Sequence, residues 1–115
     1  MSRITDELSK YGCDMNTTLE RFLGDEDFYE KCLIEMLGDS SFMELGEALE
    51  QKNVKAAFES AHTLKGLAAN MGLDSMLDIV VELVEPLRNG MIDGLSPTYE
   101  RLIAEKKTYD NIVNG

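Results

Sequence analysis

Apolar residues recur every three or four positions along nearly the whole chain, and strand-like alternation is hard to find. Glycines and small polar residues divide this pattern into helical stretches. A short first helix is expected over 2–10. A second spans Thr17 to Leu23, with Asn16 as cap and Gly24 as its closing glycine. A third runs from about Glu26 to Leu37, carries Phe28, Cys32, Leu33, Met36 and Leu37 on one side, and ends at Gly38. Ser40 or Ser41 starts a fourth, whose apolar face is Phe42, Leu45, Gly46 and Leu49 and which stops near Gln51.

The fifth stretch is long. Asn53 is placed to cap it and Gly72 to end it after Met71, a length of about 28 Å at 1.5 Å per residue. Asp74 is read as the cap of a sixth helix containing Leu77, Val80, Val81, Leu83, Val84 and Leu87. Pro86 lies in its last turns and is expected to kink or end it, since proline removes a backbone donor and crowds the preceding turn. Asn89-Gly90 closes that segment. Ser96 as cap and Pro97 in the first turn start the last helix, whose stripe of Tyr99, Leu102, Ile103, Tyr109, Ile112 and Val113 is interrupted by Lys106. Short connections between long helices force antiparallel neighbours. The expected fold is therefore all-α: an antiparallel up-down four-helix bundle with short additional N-terminal helices, in one domain over 1–115.

Composition narrows the function more than the fold. The formal net charge is −11, from 22 acidic and 11 basic residues. Nucleic-acid binding needs a basic footprint, and an anionic membrane surface would repel this chain too. No apolar run is long enough to span a bilayer, and the amphipathic N-terminus has no signal core. A cytoplasmic location is the expectation. Trp is absent and aromatics are 7%, so Leu, Ile, Val, Met and Ala must build the core. Cys13 and Cys32 form no CxxC and, with one histidine, make no zinc spacing; packed, reduced thiols are expected.

That one histidine is His62. At about 100° per residue, with Val54 as zero, Val54, Ala57, Phe58, Ala61, Leu64, Ala68 and Met71 fall in one arc between roughly 260° and 40°. This is the expected buried stripe. His62 falls near 80°, at its margin or outside it, among Lys55, Glu59, Gly66 and Ala69. Gly66 stands one turn after His62 in mid-helix, where glycine costs about 1 kcal/mol relative to alanine. A missing side chain there leaves room for something to approach the imidazole. Lys65 and Lys55 are placed to meet a negative group on that ring, and a neutral imidazole nitrogen is a nucleophile at physiological pH. By themselves these features also suit an ordinary surface histidine.

The segment AHTLKGLAANMGLDSMLDIVVELVEPL resembles the histidine-containing phosphotransfer (HPt) domain. The matching residues are His62-Thr63-Leu64-Lys65-Gly66, then Ala68-Ala69-Asn70, Gly72-Leu73 and the Leu-rich helix after them. Upstream, LERFLGDEDFYEKCLIEML and EALEQKNVKAAFESAHTLKG are also similar to the family, so the likeness covers roughly Leu19 to Arg88. Pro86 departs from the family's pattern. The resemblance implies a four-helix bundle with His62 as phosphoacceptor, Lys65 supporting the phosphoryl group and Gly66 giving access. It implies a phosphocarrier working between receiver domains, one of a hybrid histidine kinase and one of a response regulator. It also implies no cofactor of its own, Mg²⁺ residing on the partner receiver, and a monomer.

No GxxxxGK[ST] or glycine-rich kinase loop occurs, so intrinsic kinase activity is not expected. The alternative is a non-catalytic helical-bundle binding module for a signalling partner. The retained histidine followed by Lys-Gly favours the carrier. With no linker at either end, a free-standing carrier is expected, although a piece of a hybrid kinase would read the same way.

Overall fold

A computed structural model describes residues 2–115. Its elements are α1 (Arg3–Lys10), α2 (Met15–Arg21), α3 (Glu26–Leu37), α4 (Ser41–Glu50), α5 (Val54–Met71), α6 (Asp74–Arg88) and α7 (Ser96–Asn114), with no strand among the described residues. The fold is all-α, as the periodicity predicts. Successive helices α4, α5, α6 and α7 pack on one another in the up-down manner that short connections impose. The fourth corner is shared. Both α3 and α4 pack on α5 and on α7 but scarcely on each other, so together they line one side of the longer helices. The first two helices sit at the end where α1 meets α7, and Arg3 donates to the carbonyls of Ile112 and Val113.

The caps explain most boundaries. The Asn53 side chain accepts from the Ala56 N–H at 3.1 Å, and Gly72 ends α5 at φ 73°. A Cβ on Gly72 would stand 2.1 Å from Thr18 Oγ1, so glycine is required both by the backbone and by the approach of α2. Three expected caps are corrected. The second helix begins earlier, because Asp14 rather than Asn16 caps it, its carboxylate accepting from the Thr17 N–H and hydroxyl. Leu73 and Leu95 occupy the cap positions of α6 and α7, so Asp74 and Ser96 are first-turn residues and neither helix has a side-chain cap bond. The fourth helix starts at Ser41 as expected, with Ser40 in the cap position; Ser40 makes no side-chain cap bond, and the Asp39 carboxylate accepts from the Ser41 N–H at 2.8 Å instead.

Pro86 does not stop α6 where it stands. The helix runs on to Arg88, and the Pro86 carbonyl accepts from the Asn89 and Met91 N–H groups as the chain turns away. Proline here costs one bond near a helix end rather than an interior break.

The core is aliphatic, with Leu33, Leu45, Leu64, Met76, Leu83 and Leu102 fully buried. Its polar exceptions are satisfied. The Tyr29 hydroxyl donates to the Met71 carbonyl at 2.8 Å, and Tyr109 lies 2.6 Å from Ser75 Oγ. Gly46 admits Tyr99, whose hydroxyl donates to the Phe42 carbonyl at 2.7 Å. The interrupting Lys106 pairs with Asp110 at 2.9 Å and stands over the Phe42 ring, so its stem packs while its charge is met. Cys13 and Cys32 are free thiols, the first buried and the second half-buried.

Candidate functional site

The long helix α5 carries His62 midway along its length, between Ala61 and Leu64, which are wholly buried. His62 itself is exposed, as are Thr63, Gly66 and Ala69. This agrees with a helical angle at or outside the margin of the buried stripe. The stripe is narrower than the sequence suggests: Val54 and Phe58 are only half-buried. No hydrogen bond to His62 is present among the described residues, so neither ring nitrogen is engaged.

Gly66 stands one turn further along the same face. A Cβ added there would meet nothing within 4 Å. The space beside the imidazole is therefore open solvent and not a close approach of another element. Lys65 is half-buried, which fits a stem lying along the helix, and it forms no ion pair among the described residues.

The flanks of the histidine differ in character. On the α4 side a groove of about 400 Å³ is lined by Glu44, Glu47, Glu59, Ser60 and Thr63, and is acidic. On the α6 side the ring of Phe58 lies against His62, with centroids 5.6 Å apart and planes inclined by 27°. The Arg88 guanidinium, from the last residue of α6, stands 5.5 Å from the centre of the Phe58 ring. Lys65 falls on this same flank by its helical angle. Two cations thus stand toward the Phe58 flank, Lys65 without an ion pair among the described residues and Arg88 with Glu85 3.9 Å from its Nε.

Sequence reasoning missed two contacts here, that of Phe58 with the histidine and that of Arg88 with Phe58. By its helical angle Phe58 belongs to the stripe expected to be buried, and it is half-buried. Its i, i+4 relation to His62 is the signal that could have shown the contact, since such pairs meet on a helix surface. Arg88 arrives from another helix and leaves no local signal. Among the described residues, no group of three or more His, Cys, Asp or Glu is placed to hold a metal ion, and no helix is long and apolar enough to cross a membrane.

The family model of the Hpt domain matches residues 33–109, a span that begins within α3 and includes all of α4, α5 and α6. The chain belongs to the Hpt domain family. Neither the curated proteins nor the solved structures yield a significant match. An Hpt domain implies a phosphotransfer role in a phosphorelay, and Hpt domains interact with receiver domains of two-component systems. They are phosphocarriers that generally lack kinase activity.

Proposed function

We propose that this Hpt domain carries a phosphoryl group on His62, taking it from the aspartyl phosphate of a hybrid-kinase receiver and passing it to a response-regulator receiver. The observation that carries this reading is the placement of the only histidine: exposed on the longest helix of the matched region, with unengaged ring nitrogens and open space beside it. In the transfer, the Nε2 lone pair attacks phosphorus, the bond from phosphorus to the aspartate oxygen breaks, and the carboxylate leaves with the electron pair. The proton stays on Nδ1. Return of the phosphoryl group to a second aspartate reverses each step.

The chain's part is to present a nucleophile in fixed geometry and to meet the incoming charge. Lys65 supports the phosphoryl oxygens, and Gly66 lets the receiver approach. The receiver brings the Mg²⁺ and the charge stabilisation that phosphoryl transfer needs. The alternative of a binding module without chemistry has no observation in its favour, since a docking face alone would not need an unobstructed imidazole. Incubation with a phosphorylated receiver should give acid-labile, base-stable label on the wild-type protein. His62→Gln should remove it while leaving the helical circular dichroism unchanged. Label persisting in His62→Gln would refute the assignment.

A further inference from the structure

We infer that Phe58 is a positioning residue for His62, holding the imidazole in one orientation on the solvent face of α5, and that Arg88 holds the Phe58 ring in turn. The inference rests on the reading of His62 as phosphoacceptor and adds to it the device that aims the ring.

An exposed histidine has several χ1 wells and a broad χ2. Orientation normally comes from a hydrogen bond to the second ring nitrogen. His62 has no such bond among the described residues, and the Phe58 ring is the one aromatic face against it. The rings are stacked with their planes inclined by 27° and centroids 5.6 Å apart, a contact that restrains the tilt of the imidazole. Phe58 can serve as a fixed platform because it is half-buried and packs against the core.

The platform is itself held. The Arg88 guanidinium lies 5.5 Å from its centroid, and Arg88 Nε stands 3.9 Å from Glu85 Oε2 one turn earlier. The end of α6 that carries Arg88 is closed by Asn89, whose side chain donates to the Glu85 carbonyl at 3.2 Å. A line of contacts therefore runs from the α6 terminus through Arg88 and Phe58 to the nucleophile. In-line displacement at phosphorus requires the attacking nitrogen to be aligned before the receiver arrives, and loose alignment is a direct loss of rate.

The test uses the fact that the protein has one histidine, so its imidazole proton resonances are unambiguous. Phe58→Leu keeps an apolar body in the half-buried site and removes the ring; Phe58→Tyr keeps the ring. In Phe58→Leu the Cδ2 and Cε1 proton signals should move toward those of a free imidazole, and in Phe58→Tyr they should stay. Transfer from a phosphorylated receiver at saturation should slow about three- to tenfold in Phe58→Leu, the range expected for losing an aromatic pair. The receiver concentration giving half the maximal rate should not change, and Phe58→Tyr should transfer at the wild-type rate. The positioning role is overturned if Phe58→Leu transfers at the wild-type rate, if both variants are slowed equally, or if the loss lies wholly in the half-saturating concentration. Label on His62→Gln would overturn the acceptor assignment instead, and the imidazole signals would then show separately whether Phe58 holds the ring.

Discussion

Replacing Gly66 should separate stability from transfer. A Cβ at position 66 meets nothing within 4 Å, so Gly66→Ala introduces no clash. It gains the difference in helix propensity at an exposed interior position, about 1 kcal/mol. For a chain of this size that corresponds to a rise in melting temperature of roughly 4 °C. Gly66→Leu should be nearly as stabilising, because leucine is close to alanine in propensity. Its effect on transfer should be opposite. A helical side chain leans toward the N-terminus and covers the turn before its own Cα, so a leucine here lies over the surface beside His62. Displacing the incoming phosphoryl group by about 1 Å is enough to cost on the order of a hundredfold in rate. Thermal unfolding followed by circular dichroism measures the first effect, and single-turnover transfer from a phosphorylated receiver the second. Alanine should leave transfer within a few-fold of wild type. A destabilised Gly66→Ala would show that the space is not open, and a Gly66→Leu variant transferring at the wild-type rate would refute the access reasoning.

Gly46 should behave in the opposite way. A Cβ there would stand 2.5 Å from Tyr99 Oη and 2.8 Å from Cζ, and the ring is pinned by its bond to the Phe42 carbonyl. Gly46→Ala should therefore destabilise by about 1–3 kcal/mol despite the better propensity, and combining it with Tyr99→Leu should cost less than the sum in denaturant unfolding. Stability should also fall at alkaline pH. Burial pushes the ionisation of Tyr29 and Tyr109 well above the ordinary tyrosine value of 10.0. Their folded-state pKa values are raised, so the contribution is fully present below pH 10 and is lost as pH climbs beyond it. Tyr29→Phe should flatten this alkaline limb and, by leaving the Met71 carbonyl without its donor, lower stability at neutral pH by about 1–3 kcal/mol. Equal unfolding midpoints at pH 9 and pH 11.5 in the wild type would contradict the linkage.

The fold class and the long helices were legible because a 3.6-residue period sustained over many residues has few other solutions. The Asn53 and Gly72 boundaries of α5 were legible for the same local reasons that form them. Features set by other parts of the chain were not. Asp14 and Asn16 are both competent caps, and only the path of the chain from α1 selects Asp14. Asp74 and Ser96 read as caps by composition, yet in both places the helix already includes them in its first turn. The sharing of one bundle corner by α3 and α4 depends on how two short helices fill the length of α5, which no local pattern states. At the site, the exposure of His62 followed from its helical angle, and the open space at Gly66 from the missing side chain. The contact of Arg88 with Phe58 joins residues thirty positions apart, and nothing in either segment announces it.

The segment before the family match bears directly on the histidine's helix. The last four carbonyls of an α-helix have no partner within it. In α5 each is met. The Leu73 N–H takes the Ala68 carbonyl at 3.0 Å and the Gly72 N–H takes that of Ala69 at 3.2 Å. Arg21 Nη2 donates to Ala69 at 3.0 Å and to Asn70 at 2.9 Å, and the Tyr29 hydroxyl donates to Met71. Arg21 and Tyr29 belong to α2 and α3, ahead of Leu33 where the match begins. Thr18, also of α2, fills the space that Gly72 leaves. A charged donor and a buried hydroxyl thus stop the fraying that would otherwise begin two turns from His62. On the proposed reading of His62 as phosphoacceptor, with the catalytic charges on the receiver, the chain's chief contribution is the stillness of its nucleophile, and residues 14–29 help to supply it from outside the matched span.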